Sequence, residues 1–319
     1  MAVAQPDLEV VIVSFNVRAL LRSCLESVYR CAGEEGLAAR LWVVDNASED
    51  GSAAMVQESF PEARLLTSQQ NVGFARGCNV ALRALGYPLT PLSRAPLLLL
   101  NPDTEVMTGA LSQLLADLSA LPRAAVVGPG LRYGDGSLQH SAFAFPGLWQ
   151  VALEFFPLNW RLTEGSLNGR YPSLEQRSWP FPCDHPLGAA MLVRPEALQE
   201  VGLLDERFFM YCEEVDWCWR AKRLGWEVWS DPRALVVHHA GRSTAQSRGA
   251  MYVQLWRSRY ELLQKHRGSL YLRLVRSVAR LGIVKEWARA AAAQVRAAKP
   301  GGAVAGGGLA DVYREVLRL

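Results

Sequence analysis

Residues 96–105 read Pro-Leu-Leu-Leu-Leu-Asn-Pro-Asp-Thr-Glu, an apolar run that ends abruptly in a short polar segment. Four leucines bounded by prolines are too few for a separate helix and predict a buried strand. In an open α/β sheet, ligands bind at the carboxyl ends of strands, which is where Asp103 lies. Its carboxylate could hold a divalent cation there. Because Asn-Pro and Asp are also ordinary turn residues, Asp103 could instead cap a helix that begins near Val106.

The sequence around this strand alternates between strand and helix patterns. The predicted strands cover residues 8–15, 40–45, 63–67, 96–100 and 124–128, and the predicted helices lie near 18–31, 52–59, 74–85 and 108–121. This alternation predicts an α/β fold in which a mostly parallel sheet carries helices on both faces. Residues 131–185 break the rhythm and predict a long irregular insertion. Beyond it we predict a strand at 188–194, helices from 195 and across 213–225, a strand at 234–238 and helices from 249 onward.

The composition is that of a globular chain. Of 319 residues, 50% are apolar and 20% are charged, which allows a substantial core. We expect a cytoplasmic location, because no apolar stretch approaches membrane-spanning length and the N-terminal pattern differs from a signal peptide. The six cysteines show neither a Cys-x-x-Cys pair nor a zinc spacing, so we expect reduced thiols.

The C-terminal segment is strongly basic. Residues 257–299 contain eleven Lys or Arg and two Glu, a net charge of +9, so the rest of the chain carries −6 of the total +3. A helical wheel places on one side Leu270, Tyr271, Leu274, Val275, Val278, Leu281 and Gly282, and on the other Arg273, Arg276 and Arg280. This pattern predicts a basic amphipathic helix on an anionic membrane surface, or one packed on the catalytic domain or a second subunit. Residues 301–308 predict a flexible spacer before a short terminal helix.

Six short segments follow one another in a fixed order. They are Val-Ser-Phe-Asn at 13–16, Val-Asp-Asn-Ala-Ser-Glu-Asp-Gly-Ser at 44–52, Asn-Val-Gly-Phe-Ala-Arg-Gly-Cys-Asn at 71–79, Leu-Asn-Pro-Asp at 100–103, Phe-Met-Tyr-Cys-Glu-Glu-Val-Asp-Trp-Cys-Trp-Arg at 209–220 and Val-His-His-Ala-Gly-Arg-Ser at 237–243. Together they resemble the family-2 glycosyltransferases, and within them the rhamnosyltransferase-like bacterial branch, over roughly residues 8–267.

The resemblance implies a GT-A fold and an inverting sugar transfer from a nucleoside diphosphate donor, with dTDP-rhamnose favoured by the branch. It implies a catalytic domain at 1–267, with the 131–185 insertion on the acceptor side, and a basic helical tail at 268–319. The expected acceptor is a glycan or a lipid-linked sugar, which would keep the enzyme peripheral on the inner face of the cell membrane. We expect no nucleic-acid partner, and a homo-oligomer is possible through the tail.

The first three segments supply the residues for the nucleotide. Ser14 and Asn16 end the first strand and could face it. Asp45 matches the family aspartate that hydrogen-bonds the nucleoside, which is compatible with an Asx-turn at the same residue. Asn71 and Gly73 open a helix whose free N–H groups could assist phosphate or ribose binding, although an ordinary helix start would have the same sequence.

The fourth and sixth segments supply the expected ligands of a divalent cation. Asp103 matches the second carboxylate of the family's Asp-x-Asp motif, and Asn101 replaces the first. Mg²⁺ or Mn²⁺ can complete its coordination with water and phosphate oxygens, so one carboxylate can suffice. His238 matches the family histidine near the ion or diphosphate, with its neighbour His239 as the second choice. The alternative for either histidine is a hydrogen-bonded core residue.

The fifth segment supplies the catalytic base. Glu213, Glu214 and Asp216 cannot share one helix face, because successive residues rotate by about 100°. Glu214 matches the family's general base, which is usually Asp, while Glu213 and Asp216 are assigned to the acceptor side. Gly188 and Ala189 match the family turn that lines the acceptor side.

Other classes of protein fit less well. A dehydrogenase would need Gly-x-Gly-x-x-Gly after the first strand, and none follows it. A nucleotidyltransferase, or a non-catalytic protein that binds nucleotide sugars on a similar fold, stays an alternative.

Overall fold

The computed structural model describes residues 5–157, 166–171, 178–239, 248–297 and 308–319. The chain divides into two compact units. Unit 1 comprises Met1–Phe145, Tyr171–Phe209 and Glu213–Ser243, and unit 2 comprises Pro146–Arg170, Met210–Cys212 and Thr244–Leu319. The domain boundary near residue 267 stays a prediction.

The described elements follow one another in the order below. The strands are β1 (Leu8–Ser14), β2 (Ala39–Asp45), β3 (Arg64–Thr67), β4 (Leu97–Leu100), β5 (Thr104–Val106), β6 (Ala124–Arg132), β7 (Leu138–Gln139), β8 (Ala142–Phe143), β9 (Phe181–Pro182), β10 (His185–Pro186), β11 (Ala190–Val193) and β12 (Glu227–His238). The helices are α1 (Arg18–Glu34), α2 (Ser52–Ser59), α3 (Phe74–Ala84), α4 (Ala110–Ala120), α5 (Leu148–Phe155), α6 (Pro195–Val201), α7 (Glu213–Arg223), α8 (Arg248–Arg267), α9 (Ser269–Ala297) and α10 (Gly308–Arg318).

Unit 1 is built on one twisted sheet with the main strand order β3-β2-β1-β4-β11-β6-β12-β5. Strands β1 to β4 run parallel to one another, and β6 runs parallel to β12. Strand β11 pairs antiparallel with β4 and β6, and β5 pairs antiparallel with β12. The predicted mostly parallel α/β sheet is therefore confirmed. The chain moves from β1 outward to β3 and then returns to the other side of β1 at β4, which creates a switch point where ligands typically bind.

The four leucines of β4 explain why this strand has no polar alternation. Leu98 and Leu100 face an apolar layer with α1, α2 and α4, while Leu97 and Leu99 face a second layer with α3, α6 and α7. A strand buried on both faces reads as a continuous apolar run. Each leucine contributes about 1.5–3 kcal/mol through burial, so this strand anchors the turn that follows it.

Two stretches differ from the expectations. Residues 104–106 form strand β5 and the following helix begins only at Ala110, so Asp103 does not cap a helix near Val106. The described parts of 131–185 are not wholly irregular, because they contain short strands and helix α5. All six cysteines are buried free thiols, as expected.

Unit 2 is a helical cluster around the fully buried Trp256 of α8, with α5, α9 and α10 packed against it. Helix α9 is continuous over 29 residues, longer than the amphipathic segment that the wheel indicated. The predicted spacer at 301–308 lies almost wholly outside the described residues. Across the described ranges, no helix combines the length and apolarity required to span a bilayer.

Candidate active site

The carboxyl ends of β1 and β2 bring Ser14 and Asp45 side by side, because the two residues are register partners in adjacent parallel strands. Both are buried. One carboxylate oxygen of Asp45 accepts the Ser48 N–H at 3.0 Å, which is the expected Asx-turn. The other oxygen, and the Ser14 hydroxyl, are buried and have no hydrogen-bond partner among the described residues. A buried unsatisfied polar atom costs about 1–3 kcal/mol, so this pair is suited to receive a polar ligand.

Asn16 holds the neighbouring loop in place. Its N–H donates to Ser48 Oγ at 3.0 Å, and its Oδ1 accepts the Glu49 N–H at 2.8 Å. Asn16 and Ala47 adopt left-handed backbone conformations, with φ values of 52° and 65°. Strain of this kind concentrates at functional sites, where surrounding structure enforces it. Asn16 therefore shapes this edge, and its direct contact with a nucleotide stays a prediction.

Asp103 and His238 lie close together, as expected for residues that share a ligand. His238 Nε2 lies 3.5 Å from Asp103 Oδ1, and both side chains are buried. Strand β5 creates this proximity, because Thr104 is the register partner of His238. The Thr104 hydroxyl also donates to the Asn101 carbonyl at 2.7 Å, which fixes the turn that carries Asp103.

The hydrogen bond at the other ring nitrogen of His238, Nδ1, determines whether Nε2 faces Asp103 with an N–H group or with a lone pair. Nδ1 lies 3.1 Å from Gln139 Oε1, an oxygen that can only accept. Nδ1 therefore carries the proton in the neutral imidazole, and the lone pair of Nε2 is directed towards Asp103. An imidazole held through its other nitrogen is the usual arrangement of a metal-ligating histidine.

This pair fits a divalent cation. Two ligand atoms of one Mg²⁺ can lie up to roughly 4.2 Å apart, because each lies about 2.1 Å from the ion. The 3.5 Å separation satisfies that limit. No cluster of three or more His, Cys, Asp or Glu able to hold a metal occurs within the described ranges. The pair would leave most coordination positions to water and phosphate, which suits Mg²⁺ better than a structural zinc site.

His239 points elsewhere. Its Nε2 lies 2.7 Å from Glu105 Oε1, and its backbone N–H donates to the Asp103 carbonyl at 2.8 Å. The structure therefore favours His238 over His239 as the partner of Asp103.

Glu214 lies against the start of β11. Its carboxylate accepts a hydrogen bond from the Gly188 N–H, and a Cβ at Gly188 would come within 3.1 Å of its Cδ atom. Gly188 thus allows the close approach of the carboxylate. The adjacent Ala189 carbonyl accepts the Asn101 N–H at 2.9 Å, so one segment contacts both the carboxylate and the turn preceding Asp103. Burial raises the pKa of Glu214, while hydrogen bonds from Gly188 and Val215 oppose the rise.

The two other acidic residues of α7 differ from Glu214. Glu213 is buried, and burial, reinforced by the Glu214 carboxylate, raises its pKa well above the ordinary value. Asp216 is fully buried and forms an ion pair with Arg220 at 2.9 Å. Arg220 also donates to the carbonyls of Val201, the last residue of α6, and of Leu203, so Asp216 stabilises the packing of α7. The acceptor-side roles of Glu213 and Asp216 stay predictions.

Close packing against Phe209 explains why position 73 is a glycine. Its φ is +84°, and a Cβ would lie 2.2 Å from the Phe209 carbonyl oxygen. That carbonyl accepts the Phe74 N–H at 2.8 Å, which occupies one of the donors expected to bind phosphate. Asn71 Oδ1 accepts the Gly73 N–H at 3.0 Å and closes an Asx-turn. The two residues therefore join the start of α3 to the segment before α7.

Two residues of the site were missed from the sequence. Gln139 lies on a two-residue strand without periodicity, so nothing in the sequence indicated its contact with His238. Asn79 is the last residue of the third segment, a signal that was available. Its amide exchanges two hydrogen bonds with the Leu204 backbone, at 2.8 and 3.1 Å, and so fixes the 204–209 segment.

A family model described as glycosyl transferase family 2 matches residues 9–202. The chain belongs to glycosyl transferase family 2. Family-2 relatives include an N-acetylglucosaminyl-diphospho-decaprenol L-rhamnosyltransferase of Mycobacterium tuberculosis, 31% identical over 236 residues, which are 71% of this chain and 75% of the relative. The low-salt glycan biosynthesis hexosyltransferase Agl10 of Haloferax volcanii is 26% identical over 68% of this chain and 62% of its own length.

Among solved structures, the fold resembles mannosyltransferase PcManGT from Pyrobaculum calidifontis, in complex with GDP-Man and Mn²⁺. The TM-score is 0.58 at 16% identity, covering 93% of this chain and 77% of that one. This likeness confirms the GT-A type fold, and the relatives confirm the rhamnosyltransferase-like family membership. The family-2 chain is a nucleotide-sugar-dependent glycosyltransferase.

Proposed function

We propose that this enzyme is an inverting rhamnosyltransferase that transfers rhamnose from dTDP-rhamnose to a hydroxyl of a glycan or lipid-linked acceptor. The observation that carries the proposal is the contact of Glu214 with the Gly188–Ala189 segment, which also holds the turn before Asp103. This arrangement offers a base beside a candidate diphosphate site. The name of the Mycobacterium tuberculosis relative supports both the sugar and a polyprenyl diphosphate acceptor.

Glu214 is the proposed general base. It takes the proton of the acceptor hydroxyl as that oxygen bonds to the anomeric carbon, and the bond from that carbon to the diphosphate oxygen breaks. The nucleoside diphosphate leaves from the opposite side, so the configuration inverts. Burial raises the pKa of Glu214, which makes its carboxylate a stronger base than an exposed glutamate. A second catalytic carboxylate is unnecessary, because no water has to be activated.

Asp103 and His238 are the proposed ligands of Mg²⁺ or Mn²⁺. Such a cation would supply Lewis-acid stabilisation of the departing diphosphate. Gln139 keeps the His238 imidazole in the tautomer that presents Nε2, and Thr104 keeps the Asp103 turn closed.

The nucleoside is proposed to bind at the ends of β1 and β2. The unpartnered Asp45 oxygen can accept a hydrogen bond from a ribose hydroxyl or a base N–H, and the Ser14 hydroxyl can donate or accept beside it. Asn16, Asn71 and Gly73 would shape this binding site from its loops.

A polyprenyl-linked acceptor is confined to a membrane, so we expect the enzyme on the inner face of the cell membrane, with residues 1–267 catalytic and 268–319 as the basic tail.

The test is a thermal-shift series followed by a transfer assay. A donor that binds only the native state, present at one hundred times its dissociation constant, stabilises that state by about 2.7 kcal/mol. We expect dTDP-rhamnose with Mn²⁺ to raise the melting temperature more than UDP- or GDP-sugars do. The matching donor should then yield a product of inverted anomeric configuration with a polyprenyl-diphosphate sugar, read by NMR.

Three outcomes would contradict parts of the proposal. Donor binding without transfer to any glycan or lipid acceptor would favour a non-catalytic binding protein. Formation of a sugar nucleotide from a sugar phosphate would favour a nucleotidyltransferase. A larger shift with a UDP- or GDP-sugar would overturn the donor assignment and leave the reaction type intact.

A further inference from the structure

Helix α9 leaves an apolar stripe uncovered, which we call the exposed stripe. Its side chains are 69%, 52%, 67% and 47% exposed, in the order Leu270, Leu274, Leu281 and Val284. At 100° per residue they fall within a sector of roughly 80° and extend along roughly 21 Å of helix. The residues that α9 buries in unit 2 lie on the opposite side: Leu272, Val275, Ala279 and Ile283. The wheel had combined members of both sets on one face, and the structure separates them.

A basic rim runs along the exposed stripe. Arg273 and Arg280 are exposed beside it and form no ion pair with any residue that the structure describes. Arg276, which the wheel grouped with them, instead lies over the Tyr260 ring at 4.9 Å and is partly buried. The rim therefore consists of two arginines that are available to an external anion.

Helix α5 adds exposed aromatic rings to unit 2. It packs along α9, because the Leu148 N–H donates to Tyr271 Oη at 2.8 Å and Gly282 leaves no space for a Cβ against Phe155. Trp149 in α5 is 70% exposed, and Phe156, the residue that follows the helix, is 38% exposed. Interfacial regions of membranes favour such aromatic side chains.

We propose that the exposed stripe docks on an anionic lipid bilayer, with α9 lying in the interface and Arg273 and Arg280 against lipid phosphates. An apolar stripe bordered by arginines is the pattern of an interfacial helix. A second copy of this chain is a poorer occupant, because a two-fold contact would bring together two segments that each carry a net charge of +9. This inference rests on the proposed function in one respect, because the bilayer would hold the proposed acceptor. The exposure of the stripe and the charge of its arginines support membrane docking whatever the reaction is.

The experiment is sedimentation of the full-length chain with vesicles that contain no acceptor. Vesicles of phosphatidylcholine are compared with vesicles that also contain phosphatidylglycerol. We expect the wild-type protein to sediment with the anionic vesicles and high salt to reduce this binding. Arg273→Gln with Arg280→Gln should lower the membrane partition coefficient roughly thirtyfold, because each arginine near an anionic surface contributes about 1 kcal/mol to binding. Leu270→Gln with Leu274→Gln and Leu281→Gln should lower it roughly a hundredfold or more.

Matched variants in unit 1 control for charge and apolarity. Leu89→Gln with Leu92→Gln removes leucines that are 84% and 61% exposed. Arg94→Gln with Arg123→Gln removes the same charge from exposed positions. Both should bind vesicles as the wild type does. Because every substituted residue is exposed, circular dichroism should show folded protein in each case.

The readout separates this inference from the proposed reaction. Equal binding to neutral and anionic vesicles, or loss of binding in the unit 1 controls, would overturn it. So would a lipid-free dimer that the leucine substitutions dissociate, which would assign the exposed stripe to self-association. Vesicle binding by a protein that transfers no sugar would support the docking surface and count only against the reaction.

Discussion

Replacing Glu214 by Gln tests the proposed base with opposite effects on activity and stability. The amide keeps the shape of the side chain and an oxygen that can accept the Gly188 N–H. It cannot accept a proton from the acceptor hydroxyl. The change therefore isolates proton transfer from positioning.

The expected loss of activity follows from the role of a general base. Such a base contributes about 10²–10⁴-fold, which corresponds to about 3–5.5 kcal/mol of transition-state stabilisation. We expect kcat to decrease by that factor, with donor affinity by calorimetry nearly unchanged. In the wild type, kcat should decrease at low pH, and the decrease should begin above the pKa of an exposed glutamate, because burial raises the pKa of Glu214.

The expected change in stability has the opposite sign. A carboxyl whose folded pKa is raised stabilises the fold at low pH, and this contribution is lost as pH rises above its unfolded pKa. As pH rises through the folded pKa, ionised Glu214 therefore destabilises the fold, and one of its buried oxygens has no hydrogen-bond partner among the described residues. The Gln variant should melt at an equal or higher temperature than the wild type at pH 8, with a smaller difference at low pH.

Two neighbouring residues serve as controls. Glu213→Gln removes the neighbouring carboxylate and leaves the proposed base in place, so kcat should decrease far less than in Glu214→Gln. Asp216→Asn breaks a buried ion pair with Arg220 and should cost about 3–5 kcal/mol of stability. If Glu213→Gln or Asp216→Asn loses turnover at unchanged stability while Glu214→Gln stays active, the base has been assigned to the wrong residue.

Three further changes test other parts of unit 1. Asp103→Ala should abolish Mn²⁺-dependent nucleotide affinity in calorimetry. Glu105→Ala, which removes the partner of His239, should retain that affinity. An unchanged Mn²⁺ dependence in Asp103→Ala would refute the cation site. A side chain on a backbone with positive φ costs about 1–2 kcal/mol of stability. Gly109→Ala, with φ +88° and open space around its Cβ, should cost only that amount, whereas Gly73→Ala should cost more, because its Cβ would meet Phe209. Equal denaturation midpoints for the two variants would contradict this. Asp117→Asn tests the buried carboxyl whose pKa is raised to about 7 by burial and by its hydrogen bond with Asp231. The stability from protonated Asp117 is present below its ordinary pKa of 3.8 and lost as pH rises to about 7, so the melting temperature of the wild type, measured against that of the variant, should decrease across this window.

The sheet was predictable because its signals are local. Each buried strand of the parallel half shows an apolar run that ends in a polar residue, as β1 does at Ser14 and β2 at Asp45. Since parallel strands end at one edge, the candidate nucleotide residues could be placed together from the sequence alone.

Two features depended on tertiary structure and could not be predicted. Gln139 contacts His238 across 99 residues of sequence, from a strand too short to show a period. Helix α9 carries two apolar stripes, and periodicity alone does not indicate which one packs. The structure buries the stripe that contains Val275 and leaves the one that contains Leu274 exposed, because α5, α8 and α10 cover only one side.

The positions of strained backbone conformations and of buried polar atoms without hydrogen bonds support the location of the candidate site independently of any motif. Four non-glycine residues in the described chain have left-handed backbones: Asn16 and Ala47 after β1 and β2, and Tyr211 and Cys212 directly before Glu213. Each costs about 1–3 kcal/mol unless the surroundings compensate. Five of the ten buried side-chain atoms without a partner among the described residues belong to Ser14, Asp45, Asn46, Glu213 and Glu214. A chain selected for stability alone would remove such costs, since most have simple apolar replacements. Their concentration near two strand ends and one helix start is explained if a polar ligand satisfies these atoms and the strained loops hold them in position before it binds.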